Sequence, residues 1–209
     1  MELYDYLLKT YGVNEPIFIS NIQYKGMTMN YIRQQVKKLT DQGLLKRYDT
    51  GIYFIPTKTI FKSGSTLSRE KVIEQKYLTE NGTRCGYIGA LTFANQLGLT
   101  TQLSAKCEIV TNKATSDYRE VKLAASTVIL KKPRVTVTED NYRELQLLDL
   151  IKDIDYFSES DPDAQLRRIL AYMKELGMGF SNLKPWLPFY PDKIYKNMYE
   201  MGMLNFISL

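Results

Sequence analysis

Thr28-Met29-Asn30-Tyr31-Ile32-Arg33-Gln34-Gln35-Val36-Lys37-Lys38-Leu39-Thr40-Asp41-Gln42-Gly43 decides how the first third of the chain folds. Thr28 is an N-cap residue, whose hydroxyl accepts from a free backbone N–H of the next turn. Met29, Ile32, Val36 and Leu39 recur at steps of three, four and three, the spacing of one buried helix face. Gly43 suits the left-handed residue that stops a helix. A helix is therefore predicted over residues 28–42. Its opposite surface displays Asn30, Tyr31, Arg33, Gln34, Lys37 and Lys38. Such side chains donate to phosphates, and Asn, Gln and Arg also make bidentate bonds to base edges.

Upstream, residues 2–10 read as a short helix, with Leu3, Tyr6 and Leu7 at helical spacing and Gly12 closing it. Pro16 blocks continuation, and residues 17–19 form an apolar run too short to classify. Ser20 is expected to cap a brief helix over residues 22–24, ended by Gly26. Downstream, residues 44–46 and 52–55 read as two strands joined through Arg47-Tyr48-Asp49-Thr50-Gly51, with Pro56 ending the second. Helix, short helix, turn, long basic helix and hairpin, in that order, make a winged helix-turn-helix. Lys46 and Arg47 in the wing are expected to hold phosphates. Thr28 belongs to the same expected DNA-binding set; Tyr31 and Tyr48 either touch phosphate or sugar, or pack against their own domain. Winged helices also serve as protein-binding modules. The basic residues here lie on the polar helix face and in the wing, which favours double-stranded DNA.

Charge follows the same division. Residues 1–63 carry nine basic and five acidic groups, and residues 64–209 carry 19 and 18. Between Lys25 and Arg47 there are six basic residues and one acidic, the electrostatic footprint of a polyanion-binding face. The chain has 209 residues, 44% of them apolar and 24% charged, which excludes a wholly disordered polymer and supplies a sizeable core. No stretch approaches the roughly 18 apolar residues of a membrane helix, and no signal peptide is visible, so a cytoplasmic protein is expected. Cys85 and Cys107 read as free, buried thiols. The chain has no histidine, which removes Ser-His-Asp and Cys-His catalysis and most zinc sites. No cofactor and no metal are expected.

A polar stretch over residues 57–68, containing Lys62-Ser63-Gly64-Ser65, marks the expected boundary between a domain of residues 1–63 and one of residues 64–209. Ser68 opens a helix whose inner face is Val72, Ile73 and Tyr77, ending before Asn81-Gly82. Strands are predicted over residues 107–110, 119–123 and 126–130, and helices over residues 141–153 and 161–176, the latter capped by Asp161 with Pro162 in its first position. Residues 183–204 read as helical, broken between Pro188 and Pro191. The fold class is thus α+β: a winged helix-turn-helix followed by a mixed α/β domain with a helical C-terminal part.

The segment Gly86-Tyr87-Ile88-Gly89-Ala90-Leu91-Thr92-Phe93-Ala94-Asn95-Gln96-Leu97-Gly98-Leu99-Thr100-Thr101-Gln102, followed by Ile109-Val110-Thr111-Asn112 and preceded by the basic helix, resembles the AbiEi-type antitoxins of bacterial type IV toxin-antitoxin systems. Ser104 departs from that pattern, standing where a proline is expected. The resemblance implies an N-terminal domain that binds operator DNA and represses its own operon. It also implies a C-terminal domain that antagonises a cognate nucleotidyltransferase toxin without necessarily forming a stable complex. The alternative is a ligand- or partner-responsive winged-helix regulator with no toxin partner. An enzyme is not expected. Gly64-Ser65 and Asp153-Ile154-Asp155 have the residue types of a nucleotidyltransferase, but about ninety residues separate them and the aspartates follow an amphipathic helix. Glu159, Asp161 and Asp163 read as capping rather than as a calcium loop.

Overall fold

The computed structural model of the protein describes residues 2–57, 65–157, 159 and 161–206. These residues build a mixed α+β structure in two compact units, Met1–Lys76 and Tyr77–Leu209. The boundary expected at residues 63 and 64 lies outside the described residues, and the first unit continues to Lys76.

In the first unit, α1 (Glu2–Tyr11) buries Leu3 and Leu7. Strand β1 (Ile17–Phe18) leads into a single 3-10 turn, Ile19–Asn21. The helix expected over residues 22–24 is absent. Ile22 is extended at φ −74° and ψ 114°, and the Ser20 hydroxyl donates to Asn21 Oδ1 instead of capping. The reason is packing: Ile22 and Tyr24 are both buried, and an extended chain turns alternate side chains to one side.

Helix α2 (Met29–Asp41) follows, with Thr28 Oγ1 accepting from the Tyr31 N–H at 3.4 Å. Ile32, Val36 and Leu39 are buried and Met29 half-buried, each full burial worth roughly 1.5–3 kcal/mol. Gly43, at φ +73°, turns the chain out of the helix, and the Leu44 and Leu45 amides both donate to the Leu39 carbonyl. That closure occupies residues 44 and 45, so β2 (Lys46–Asp49) starts two residues later than expected. It pairs antiparallel with β3 (Ile52–Phe54), with a register shift between Arg47 and Asp49. The irregularity carries β2 to Asp49 and shrinks the expected five-residue connection to Thr50-Gly51. β1 pairs with the other side of β3, giving the order β1-β3-β2. Near the end of the unit, Ser68 caps α3 (Arg69–Ile73).

A π-helical turn, Glu74–Leu78, then replaces the rest of the helix expected up to residue 80. Asn81 and Gly82, both at positive φ, instead form a hairpin turn between β4 (Thr79–Glu80) and β5 (Thr83–Arg84). The main sheet of the second unit contains β6 (Gly86–Ile88), β7 (Lys106–Thr111), β8 (Arg119–Leu123) and β9 (Ser126–Lys131) in the order β6-β7-β9-β8. β7 and β9 run parallel; the outer pairings are antiparallel. α4 (Ala90–Gln96) follows β6 directly. α5 (Tyr142–Phe157) is the hub, packing on α4, β6 and two later helices. Leu145, Leu147, Leu148, Leu150, Ile151 and Ile154 are all buried, because a helix covered on most sides is apolar nearly all round.

Helix α6 (Pro162–Glu175) starts as expected, with Asp161 Oδ1 accepting from the Ala164 N–H at 2.9 Å. The single interrupted helix expected over residues 183–204 resolves into α7 (Phe180–Leu183), a 3-10 turn (Leu187–Phe189), α8 (Lys193–Glu200) and a last 3-10 turn (Met203–Phe206). Pro185, Pro188 and Pro191 each lack an N–H to continue a helix. Cys85 is buried, Cys107 is half-buried, and both are free. Gly86 pairs with Thr111, four residues beyond Cys107 along β7, a span of about 13 Å that no disulfide bridges. Among the described residues no helix is long and apolar enough to cross a membrane.

Candidate functional site

Two places in the chain gather functional side chains, one in each unit. In the first, α2 presents Asn30, Tyr31, Arg33, Gln34, Lys37 and Lys38 to solvent, all exposed. The local cause is the buried Ile32-Val36-Leu39 stripe, which fixes the helix's rotation and leaves the polar face outward. Arg33 Nη1 donates to Asn30 Oδ1 at 3.4 Å, one turn back. Among the described residues, Arg33, Lys37 and Lys38 have no carboxylate within 4.0 Å. Thr28 is exposed, with its hydroxyl oxygen engaged as the cap.

The hairpin residues are more constrained. Arg47 is exposed, but its guanidinium folds onto the turn, donating to the Asp49 carbonyl at 3.3 Å and to Thr50 Oγ1 at 3.0 Å. Lys46 and Tyr48, pointing to the other side of the strand, are half-buried. Lys46 Nζ donates to the Ser65 carbonyl at 3.5 Å. Burial pushes the Tyr48 phenol above its usual range. The helix residues thus form one continuous exposed set, and of Lys46, Arg47 and Tyr48 in the hairpin it is Arg47 that is exposed.

In the second unit a cleft of about 450 Å³ is lined by residues from α4, β7, the chain leaving β9 and α5, together with Asp117 ahead of β8. Asp149 on α5 accepts from the Tyr87 hydroxyl of β6 at 2.7 Å through Oδ2. Its Oδ1 lies 3.8 Å from Lys152 Nζ, which itself binds Asp153 at 2.8 Å. Burial pushes the Asp149 carboxyl above the ordinary range, while the Tyr87 hydrogen bond and the charges of Lys152 and Arg134 pull the other way. Burial, and then the Asp149 charge, push the Tyr87 phenol well up. Glu108 on β7 pairs with Lys131 at the end of β9 at 2.7 Å. Its side chain lies where a Cβ on Gly89 would stand, 2.6 Å from Glu108 Cγ. The Arg134 guanidinium carbon lies over the Tyr190 ring, 5.5 Å from its centroid, and the Tyr190 hydroxyl donates to the Leu145 carbonyl at 3.1 Å.

This cleft was not found by motif reasoning, yet two signals mark it. Asp149 is a lone acid inside Leu147-Leu148-Asp149-Leu150-Ile151, and Lys131-Lys132-Pro133-Arg134 is a basic run at a strand's end. The residue types that suggested a nucleotidyltransferase do other work. Asp153 pairs with Lys152 and Asp155 with Lys193, the latter at 2.9 Å. Gly64 lies outside the described residues, and Ser65 Oγ accepts from the Thr57 N–H at 3.0 Å. Glu159 accepts from the Thr101 and Thr100 hydroxyls, which hold its carboxyl below the usual range. Among the described residues no three His, Cys, Asp or Glu side chains are grouped to hold a metal ion. Compared with known proteins, the chain matches no protein-family model and no curated sequence.

Proposed function

We propose that the first unit is a winged-helix DNA-binding module, and that the chain is an antitoxin and transcriptional autorepressor opposing a nucleotidyltransferase-type toxin. The observation that carries the DNA reading is the solvent face of α2. Three cations without carboxylate partners among the described residues, Arg33, Lys37 and Lys38, share it with Asn30 and Gln34. Free cations on a helix backed by a rigid apolar stripe suit phosphate neutralisation, and the interspersed amides suit base-edge contacts. The sheet β1-β3-β2, with its two-residue hairpin beside α2 in sequence, fits a winged helix with a short wing. The antitoxin half of the proposal rests on the resemblance over residues 86–102.

Two readouts in cells test it together. Expression of the chain should silence a reporter driven by the region upstream of its own gene. Co-expression with a nucleotidyltransferase encoded beside it should restore growth. Repression without protection would leave a regulator with no toxin partner. Protection without repression would remove the DNA reading.

A further inference from the structure

The DNA reading places its contacts in the first unit and leaves the cleft of the second unit unassigned. Its volume, about 450 Å³, falls in the range of small-molecule sites and exceeds what a lone inorganic ion needs. Its floor carries Asp149, whose Oδ2 is satisfied by Tyr87 while Oδ1 accepts no hydrogen bond from a described residue. Lys152, at 3.8 Å, is beyond hydrogen-bond reach of that oxygen and is held by Asp153. Lys131 is neutralised by Glu108. Lys132 and Arg134 are exposed and have no carboxylate within 4.0 Å among the described residues.

A ligand that satisfies the cleft brings N–H donors to Asp149 and an anionic group to Lys132 and Arg134, with Ala90, Val110 and Pro133 as apolar lining. We propose that the cleft binds a nucleoside monophosphate whose base carries an exocyclic amino group. The amino group donates to Asp149 Oδ1, and the phosphate sits on Lys132 and the Arg134 fork. The Arg134 guanidinium carbon lies 5.5 Å from the Tyr190 ring centroid, and its N–H fork suits a phosphate. Inorganic phosphate fills only the cationic part, and a free amino acid is too small to fill the volume.

Isothermal titration calorimetry on the full chain tests this with AMP, GMP, CMP, UMP and inorganic phosphate. The three amino-bearing nucleotides should bind about tenfold more tightly than UMP or phosphate. The double substitution Lys132→Ala, Arg134→Ala, at two exposed positions, should weaken nucleotide binding by about tenfold or more with the circular dichroism unchanged. Asp149→Asn should erase the preference over UMP. Failure of every nucleotide to bind overturns the proposal, as does equal affinity for nucleotide and phosphate, which would make the cleft a plain anion site. Nucleotide binding that the double variant does not move places the ligand elsewhere and overturns it too. If Asp149→Asn does not fold, the double variant alone decides.

Discussion

Gly86 leaves no room for a side chain: an added Cβ would stand 2.7 Å from the Val110 carbonyl and 2.9 Å from that of Tyr77. Both are backbone atoms that cannot swing away, so Gly86→Ala should destabilise the second unit by about 1–3 kcal/mol or more. Ala124, in the turn between β8 and β9, has the opposite problem, a side chain at φ +51°. There Ala124→Gly should stabilise by up to ~1 kcal/mol, the relief of the left-handed conformation less the added freedom of the unfolded chain. Urea unfolding followed by circular dichroism measures both, and opposite signs are the expected result. Asp149 gives a pH signature. Burial raises the Asp149 carboxyl above its ordinary range, so over an interval that begins near the unfolded value of about 3.9 the folded chain holds a proton the unfolded chain has released. The folded state therefore binds more protons there, and stability falls as pH rises through that window. The neighbouring Asp153 charge adds to the effect, while Tyr87, Lys152 and Arg134 reduce it. Asp149→Asn has no proton to lose, and its stability curve should be flatter over that range. Parallel curves for the two proteins would show that Asp149 does not titrate differently in the folded chain.

Helix α2 is held at its start by one side-chain bond, from the Tyr31 N–H to Thr28 Oγ1. Thr28→Ala should cost about 1 kcal/mol of stability and Val36→Ala, in the buried stripe, more, both read by urea unfolding. This element was the most legible in the sequence, because cap, period and terminal glycine all agree over residues 28–43. Two strands of the main sheet were legible too: Arg119–Leu123 alternates polar and apolar residues, and Ser126–Lys131 carries the short apolar run Val128-Ile129-Leu130. Elements of one turn were not. Ile19–Asn21 is too short to show a period, and the apolar residues after it belong to an extended segment reaching into the core. The C-terminal helices were misread for a related reason: prolines cut them into pieces of four to eight residues, too short for a period to be counted. The cleft escaped because its lining comes from five separate stretches, and only the fold brings Tyr87 to Asp149.

At the scale of the whole chain, charge and fold divide together. Residues 1–76 hold twelve basic and seven acidic groups, and residues 77–209 hold sixteen of each, so the net +5 belongs to the first unit. If the units divide the work as proposed, residues 77–209, shown to be folded by circular dichroism, should protect cells from the toxin without repressing the promoter. Residues 1–76 should bind DNA and leave the toxin active. The reverse pattern would overturn that division. The central claim is that the α2 face binds DNA through phosphates as well as bases. Fluorescence anisotropy of the full chain with a labelled duplex from its own upstream region, across a salt series, tests it most directly. Four to six neutralised phosphates predict a log-log slope of roughly −4 to −5, flattened by about one in Lys37→Ala, while Arg33→Ala or Gln34→Ala lowers discrimination against unrelated duplexes by about 1–3 kcal/mol. Binding that does not change with salt, or that treats Lys37→Ala and the unsubstituted chain alike, would contradict it.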